Sequence, residues 1–319
     1  MIDLHLHTTA SDGRLTPVEL VARASQARLT TISVTDHDTV AALADVSAAA
    51  QSAKIRVVPG IEITSIDEGR DVHMLGYFFD PASIALGTFL EGQRALRVAR
   101  VREIGIRLST LGMPVDVEAV LHASANRPGS SVGRPQLARA LVAAGHVESV
   151  QEAFDQWLAT GQPAYVPRTG PSPATVINVI HEAGGVASFA HPGVTRRDAL
   201  IPALVDRGLD AIEVYHSDHA PEDERTYTSL ATRLGVLISG GSDFHGDPFD
   251  PFDSPERPSR SGSLRTGSPE RQGRSGSLRA GDPSRSSRRA RRGVLGVVSL
   301  PAPAFEALEA KAQQRKQAS

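Results

Sequence analysis

The chain contains no cysteine, and this absence excludes several kinds of chemistry. Without a thiol, a disulfide framework, a thiolate nucleophile and a cysteine-ligated zinc site are all impossible. Any bound metal must therefore be held by histidine and carboxylate side chains, a ligand set that suits manganese, iron or zinc.

Long hydrophobic runs are lacking as well. No apolar stretch approaches the ~20 residues that a membrane span requires, and no charged-then-apolar leader precedes Asp3. A cleaved leader would also remove His5 and His7. We therefore expect a cytoplasmic protein that does not associate with a membrane.

The chain does contain enough apolar sequence for a large core, since 40% of its 319 residues are hydrophobic. This length suits a globular enzyme built as one α/β barrel, alone or with a small inserted domain. The net charge of −2 is unevenly distributed, because residues 254–292 carry 11 arginines against three acids, a balance of +8. The remainder therefore carries −10 by subtraction, which argues against a basic, nucleic-acid-binding body.

Residues 248–292 have a composition of their own, rich in serine, arginine, glycine and proline, with a near-repeat at 260–265 and 274–279. Such a segment cannot bury a core, and we predict that it is disordered. It could be a basic arm that contacts RNA through phosphate attraction. We favour the simpler interpretation, a solvated insertion without a defined role.

Strand patterns and helix patterns alternate along most of the chain. The strands are predicted at residues 2–7, 30–35, 57–63, 72–78, 186–190, 211–215, 236–241 and 293–300. Helices are predicted from the Thr16 cap to about residue 27, at 173–183, 197–207 and 303–314, and before residue 236. This alternation predicts a parallel sheet, most simply a barrel of seven or eight units.

Residues 89–164 break the alternation, because they show helical periodicity without strands. Helices are predicted at 93–111, 117–123, 134–144 and 150–160, which together form a helical insertion between barrel units. The loop at 126–135 could cradle an anion or could be an ordinary linker. Trp157 suits the core of this insertion better than a platform for base stacking.

The motif His5-x-His7 lies in the first predicted strand, where side chains two residues apart share a face. An isolated pair of this kind could hold a metal or could simply pack in the core. Histidine and acidic residues, however, also accompany the later strands, and barrel chemistry lies at the carboxyl ends of strands. The candidate metal ligands are His5, His7, Asp12, His37, Glu62, His73, His191, Asp243 and His245. Nine ligands are too many for one ion and suit two or three ions that share a bridging carboxylate.

Four motifs, in order along the chain, resemble those of the polymerase and histidinol phosphatase (PHP) family of metal-dependent phosphoesterases. They are His5-x-His7, residues 35–38 (Thr-Asp-His-Asp), residues 190–192 (Ala-His-Pro) and residues 242–245 (Ser-Asp-Phe-His). The resemblance covers nearly the whole chain outside residues 248–292. The helical insertion further resembles the branch that contains nucleoside 3′,5′-bisphosphate phosphatases and a 5′-to-3′ exoribonuclease. Members of that branch usually have histidine where this chain has Gln136.

The resemblance implies a distorted (β/α)7 TIM-like barrel formed by residues 1–88 and 165–319. Residues 89–164 would be an all-helical insertion that caps the substrate. It implies two or three divalent ions, of manganese, iron or zinc, with manganese favoured. One ion would take His5, His7, Glu62 and Asp243; a second would share Glu62 and add His73 and His191; a third would take Asp12, His37 and His245.

The implied reaction is hydrolysis of a phosphate ester by a metal-bridging hydroxide, for which Asp243 is a catalytic candidate as well as a ligand. Arg134, Arg127 and Arg168 would bind substrate oxygens. His216 or His219 could protonate the leaving oxygen, or could serve a structural purpose. His122, His146 and His181 lie in predicted helices and receive no role.

We therefore expect a phosphatase or exonuclease acting on a nucleotide such as a 3′,5′-bisphosphate, or on short 5′-phosphorylated RNA. One alternative is a small-molecule phosphatase, for example of histidinol phosphate. An alternative of another class is a non-catalytic metal- or nucleotide-binding module, against which the complete ligand set argues. No obligate protein partner is inferred.

Overall fold

The computed structural model describes residues 1–125, 128–246 and 294–318. Its centre is a seven-stranded sheet in which the strands follow one another in chain order. The strands are β1 (Ile2–Leu6), β2 (Thr31–Val34), β3 (Arg56–Asp67), β4 (Arg70–Tyr77), β5 (Val186–Phe189), β6 (Ala211–His216) and β7 (Leu237–Gly241). The predicted α/β barrel of seven strands is therefore confirmed.

The sheet curls until its two edges nearly meet. Between β1 and β7 the backbone of His7 donates to the carbonyl of Phe244 at 3.0 Å, and Leu6 pairs with Phe244 in an isolated bridge. A β-carbon at Gly241 would lie 2.3 Å from the His5 nitrogen, so this close approach requires glycine. The strand ends that carry the candidate ligands are thereby gathered around one rim.

Strand β4 runs against its neighbours, which corrects the prediction of a parallel sheet. It is antiparallel to both β3 and β5, while the other adjacent pairs are parallel. Glu68 and Gly69, with φ of 47° and 75°, form the two-residue turn between β3 and β4. A parallel crossover needs a dozen or so residues, and the few between these two strands are too short for one. Because the chain reverses here, the start of β4 lies at the same rim as the end of β3.

Eleven α-helices accompany the strands in the described parts of the chain. They are α1 (Pro17–Gln26), α2 (Leu43–Ala53), α3 (Ile84–Thr110), α4 (Val117–Ala125), α5 (Arg134–Ala143), α6 (Val150–Ala153), α7 (Pro173–Glu182), α8 (Pro192–Thr195), α9 (Ile201–Val205), α10 (Pro221–Leu234) and α11 (Ala302–Ala318). The predicted cap of α1 is confirmed, because Thr16 and Glu19 form a capping box. None of the described helices is both long and apolar enough to cross a membrane.

The inserted helices have a hydrophobic cluster of their own, formed by residues between Val101 and Val166. Helix α3 is longer than predicted, and its first turns, with Leu86 and Leu90, pack in the barrel core. Trp157 packs against the cluster of the insertion, in agreement with the prediction. The insertion therefore has its own core and is joined to the barrel through one continuous helix.

Two element predictions are wrong. The predicted strand at 293–300 is absent from its described part, residues 294–300, which form turns. There the Leu300 nitrogen donates to the Ile2 carbonyl and Ser299 Oγ accepts from the Ile2 nitrogen. Gly296, at φ 83°, turns the chain there. The predicted helix at 197–207 is instead a 3₁₀ turn (Asp198–Leu200) followed by α9. The predicted disordered segment at 248–292 lies outside the described residues, as do Asn126 and Arg127 of the candidate anion loop.

Helix α11 closes the amino-terminal end of the barrel. Arg315 forms two 2.9 Å bonds with the carboxylate of Asp210, which directly precedes β6. The same carboxylate accepts from His181 at 2.8 Å and from the Ala187 backbone at 2.9 Å. Asp210 thus joins α11, α7 and β5 at one point.

Candidate metal centre

The nine candidate ligands lie around the carboxyl-terminal rim of the barrel, where Glu62 is central. Its side chain is 1% exposed, and five imidazoles approach its two oxygens. Oε1 lies 2.8 Å from His73 Nδ1 and 3.0 Å from His191 Nε2. Oε2 lies 3.2 Å from both His5 Nε2 and His7 Nε2 and 3.3 Å from His37 Nδ1. Each oxygen of Glu62 therefore faces a different group of rings.

Asp243 and Asp12 complete the acidic part of the cluster. Asp243 Oδ1 lies 3.2 Å from His7 Nε2 and 3.4 Å from His5 Nε2. Asp12 lies 3.3 Å from His245 Nε2 and 3.7 Å from His37 Nε2. The structure therefore brings together all nine residues that the sequence singled out.

Some buried ring nitrogens of this cluster lack a hydrogen-bond partner in the described structure. Three buried ones, His7 Nδ1, His7 Nε2 and His37 Nδ1, make no hydrogen bond within the described residues, although unsatisfied buried polar atoms are costly. Several ligand atoms lie within 4.8 Å of one another in the groups His5–His7–Glu62–Asp243, His7–Asp12–His37–His245 and His37–Glu62–His73. Nitrogen and carboxylate oxygen donors at such spacing fit divalent transition-metal ions.

These groups agree largely with the ligand sets expected from the family resemblance. The first expected set, around His5 and Asp243, forms one group, and the third, Asp12, His37 and His245, is brought together with His7 added. The second set meets at Glu62 Oε1, which both His73 and His191 contact. His37 lies between the second and third sets, because its two nitrogens face Glu62 and Asp12.

The electrostatics of the cluster favour positive charge. Burial raises the pKa of Glu62, Asp12 and Asp243, but the surrounding imidazoles outweigh it and hold each pKa well below its ordinary value. Burial likewise opposes protonation of His7, yet the carboxylates of Asp243 and Glu62, each 3.2 Å from Nε2, raise its pKa to about 10. The carboxylates are therefore ionised, and a neighbouring positive charge stabilises them.

The backbone is unusual at three positions around the rim. Asp38, His191 and Asp243 have positive φ, of 53°, 28° and 54°. Non-glycine residues adopt this region at an energetic cost that surrounding contacts must offset, and such residues concentrate at functional sites. Here each follows the end of a strand, so the turn directs the neighbouring side chains towards the centre.

Sequence reasoning missed a layer of buried acids behind the ligands. Glu213 on β6 accepts from His5 Nδ1 at 2.8 Å and from the His191 backbone nitrogen at 2.7 Å. Asp36 accepts from Thr8 and Ser11, in the loop that carries Asp12. The sequence signal was present at Glu213, because an acid within an apolar strand is the pattern that identified Glu62.

The two candidates for the general acid occupy different positions. His216 is buried at the end of β6, where its Nε2 lies 3.5 Å from Asp243 Oδ2 and makes no hydrogen bond in the described structure. His219 donates from Nδ1 to the Val214 carbonyl at 2.7 Å and accepts at Nε2 from the Gly193 backbone at 3.1 Å. Both nitrogens of His219 thus contact backbone, whereas Nε2 of His216 faces Asp243. Either ring as the general acid stays a prediction.

Basic residues of the insertion and of the segment that follows it lie near Asp71. Arg134 and Arg168 approach Asp71, two residues before His73, at 3.8 and 3.6 Å. Burial and the neighbouring Arg97 lower the pKa of Arg168 to about 9, and its buried Nε makes no hydrogen bond among the described residues. Arg100, which was not among the predicted substrate-binding residues, lies close by. Its buried Nη2 also makes no hydrogen bond among the described residues. Arg127 falls outside the described residues.

The insertion also contacts the loop that carries Asp12. Gln136 accepts from the Gly133 backbone at 2.9 Å and donates to the Ser11 carbonyl, while Arg139 donates to the Asp12 carbonyl at 2.7 Å. The loop at 126–135 contributes a bond from the Ser131 nitrogen to the Ala10 carbonyl at 2.8 Å. The resembling branch has histidine at the position of Gln136. Here the Gln136 side chain bonds to the backbone of Ser11, the residue before the candidate ligand Asp12.

Known proteins are similar to this chain over most of its length. A model of the PHP domain matches residues 3–162. The 5′-3′ exoribonuclease Rnm of Salmonella typhimurium is 38% identical over 250 residues, 76% of this chain and 84% of that protein. The 3′,5′-nucleoside bisphosphate phosphatase of Chromobacterium violaceum is 35% identical over 250 residues, 76% of this chain and 87% of that protein. A solved structure from Bifidobacterium adolescentis, assigned as a metal-dependent phosphoesterase, is 35% identical with a TM-score of 0.71 and covers 77% of this chain and 87% of its own.

Proposed function

This chain belongs to the PHP family of metal-dependent phosphoesterases, and from that membership we propose that its substrate is a phosphate ester of a nucleotide. The substrate would be a nucleoside 3′,5′-bisphosphate or a short 5′-phosphorylated RNA. The relative from Chromobacterium violaceum is named a 3′,5′-nucleoside bisphosphate phosphatase and that from Salmonella typhimurium a 5′-3′ exoribonuclease. The chain is thus a hydrolase that acts on phosphate ester bonds.

In this proposal the rim holds two or three divalent ions, with manganese as the preferred metal. The ligands are the nine residues described above, grouped as His5–His7–Glu62–Asp243, Glu62–His73–His191 and Asp12–His37–His245 with His7 beside the third group. Bound ions would supply Lewis acidity and a lowered pKa for a coordinated water. The orphaned ring nitrogens of His7 and His37 support this assignment.

The protein's own side chains would position the substrate and move protons. Arg134 and Arg168 would bind a substrate phosphate, with Arg127 as a further candidate. At 3.6 to 3.8 Å, their approach to Asp71 is too long for full hydrogen bonds. His216 would protonate the leaving oxygen or orient Asp243, because its Nε2 faces that carboxylate. Residues 89–164 would form a cap over residues 1–88 and 165–319.

One observation supports a nucleotide with more than one phosphate. Two buried guanidinium nitrogens, Arg168 Nε and Arg100 Nη2, lack acceptors in the described structure, beside a centre that would already hold the scissile phosphate. Burial, together with Arg97 for Arg168 and Arg134 for Arg100, lowers the pKa of both guanidinium groups. An additional phosphate would relieve this repulsion and satisfy the donors.

The test is an assay of purified, manganese-loaded protein on four substrates. They are adenosine 3′,5′-bisphosphate, a short 5′-phosphorylated RNA, the same RNA with a 5′-hydroxyl, and histidinol phosphate. We expect turnover of the bisphosphate, the phosphorylated RNA or both, and weak activity on the 5′-hydroxyl RNA, which lacks one phosphate. Asp243→Ala serves as the inactive control. Turnover of histidinol phosphate alone would replace the nucleotide assignment, and no turnover at all would favour a binding module.

A further inference from the structure

Glu213 contacts two candidate ligands at once, although it is not one of the nine. It lies on β6, is fully buried, and uses Oε1 to accept from His5 Nδ1 at 2.8 Å. Its Oε2 accepts from the backbone nitrogen of His191 at 2.7 Å. Both oxygens of Glu213 therefore act as acceptors, one for a ring N–H and one for a backbone N–H.

The contact with His5 determines which ring nitrogen is available to a metal. A carboxylate that accepts from Nδ1 keeps the proton there, and Nε2 then presents its lone pair. His5 Nε2 faces Glu62 Oε2 at 3.2 Å and Asp243 Oδ1 at 3.4 Å, in the first ligand group. Glu213 therefore selects the ring form of His5 that can coordinate.

The contact with His191 stabilises a strained backbone. His191 has φ 28° and ψ 61° at the end of β5, a conformation that non-glycine residues adopt only when surrounding contacts hold it. The charge-assisted bond from its nitrogen to Glu213 is such a contact. This conformation directs His191 Nε2 to Glu62 Oε1 at 3.0 Å, in the second ligand group.

We propose that Glu213 is a positioning residue that couples two neighbouring ion sites, by orienting His5 for the first and His191 for the second. This inference rests on the proposed metal centre. Glu213 uses both oxygens as hydrogen-bond acceptors, although its carboxylate also lies in a group with His5 and His216 that could hold a metal ion.

Glu213→Gln tests the coupling, because an amide has one acceptor atom and one donor group. If the amide nitrogen faces His5, that ring must move its proton to Nε2, where it blocks coordination. If it faces His191, two N–H groups oppose each other and the strained turn loses its support. One of the two contacts is lost in either orientation, and we expect metal affinity to fall about 10- to 100-fold, the usual effect of removing such a partner.

The readout is metal binding, measured by calorimetry with Mn²⁺ and by elemental analysis, without substrate. Asp210→Asn is the matched control, since it also converts a buried acid beside β6 to an amide but contacts none of the nine ligands. Thermal unfolding establishes that both variants are folded. Equal metal affinity in wild type and Glu213→Gln would overturn the coupling. Loss of a single ion with the other sites unchanged would also overturn it, because that result would identify Glu213 as a ligand of that ion. Absence of metal binding in the wild type would instead refute the proposed metal centre.

A measurement on the unmodified protein removes any dependence on the folding of the variant. Nitrogen-15 NMR of protein loaded with diamagnetic Zn²⁺ reports the protonated nitrogen of each ring. We expect His5 to carry its proton on Nδ1 and to bind through Nε2. Coordination of His5 through Nδ1 would contradict the role of Glu213.

Discussion

At the scale of single residues, the main feature of the site is that a few carboxylate oxygens lie close to many imidazole nitrogens. The two oxygens of Glu62 face five imidazoles at 2.8 to 3.3 Å. Protons alone cannot satisfy such an arrangement, because neighbouring imidazolium rings repel one another. Burial and this repulsion, opposed by Glu62 and Asp12, lower the pKa of His37 to about 3, which leaves a neutral ring suited to coordination.

Arg134 provides a test of the phosphate pocket that does not disturb the ligands. Loss of a charge-assisted bond to a phosphate costs roughly 1.5 to 3 kcal/mol, or about 10- to 100-fold. We therefore expect Arg134→Ala to raise KM for the nucleotide by that factor and to leave kcat and metal content nearly unchanged. Steady-state kinetics and elemental analysis measure both.

Arg102→Ala is the control for that prediction, because Arg102 is an exposed arginine of α3 that pairs with Glu118. It should leave KM unaltered. An Arg134 variant with the wild-type KM would exclude this side chain from the substrate site.

At the scale of elements, the reversal of β4 decides where His73 lies. The hairpin turn at Glu68 and Gly69 brings His73 opposite Thr64 of β3, near the end of the strand that carries Glu62. In a parallel β4, the same early position would face the opposite end of the barrel. The second ligand group therefore depends on a two-residue turn.

The attachment of α11 predicts a dependence of stability on pH. Burial raises the pKa of Asp210, but His181, Arg315 and the Ala187 amide outweigh it and lower the pKa to about 2. A lowered folded-state pKa stabilises the fold above the unfolded value of about 3.9, and this contribution is lost as pH falls towards 2. The shift corresponds to roughly 2 kcal/mol.

We accordingly expect Asp210→Ala to lower the free energy of unfolding at pH 7, with a difference from wild type that shrinks between about pH 4 and pH 2. Urea denaturation at several pH values measures this difference. Glu306→Gln, at an exposed position of the same helix, should show none. A difference that stayed constant down to pH 2 would mean that the Asp210 carboxylate is not the stabilising group.

At the scale of the whole molecule, the metal centre lies where distant parts of the chain meet. Its ligands come from residues 5 to 245, and the loop that carries Asp12 is held by α5 of the insertion through Gln136 and Arg139. Ions bound there would link β1, β3, β4, β5 and the segment after β7. Metal binding should therefore stabilise the whole fold.

We expect chelation to lower the unfolding temperature and added Mn²⁺ to restore it. A ligand at 100 times its dissociation constant stabilises the native state by about 2.7 kcal/mol per site, so the change should amount to several degrees. Scanning calorimetry with EDTA and with Mn²⁺ measures it, and Asp243→Ala should show a smaller response. Identical unfolding temperatures in both conditions would contradict a metal centre at the rim.

The candidate ligands and the class of fold can both be read from the sequence. His5 and His7, and later Asp243 and His245, lie beside apolar strands, and strand periodicity is a local property that can be read without coordinates. The helical character of the insertion is equally local. The four motifs could therefore indicate the family before any distance was known.

Which atoms meet depends on the tertiary fold. The direction of β4, the two contacts of Glu213 and the engagement of both nitrogens of His219 depend on residues far apart in the chain. Such pairings follow from how loops close and strands align, which no local pattern encodes. Glu62 and Glu213 give the same sequence signal, an acid within an apolar strand. Only their neighbours in space distinguish the candidate ligand Glu62 from Glu213, which we propose orients ligands.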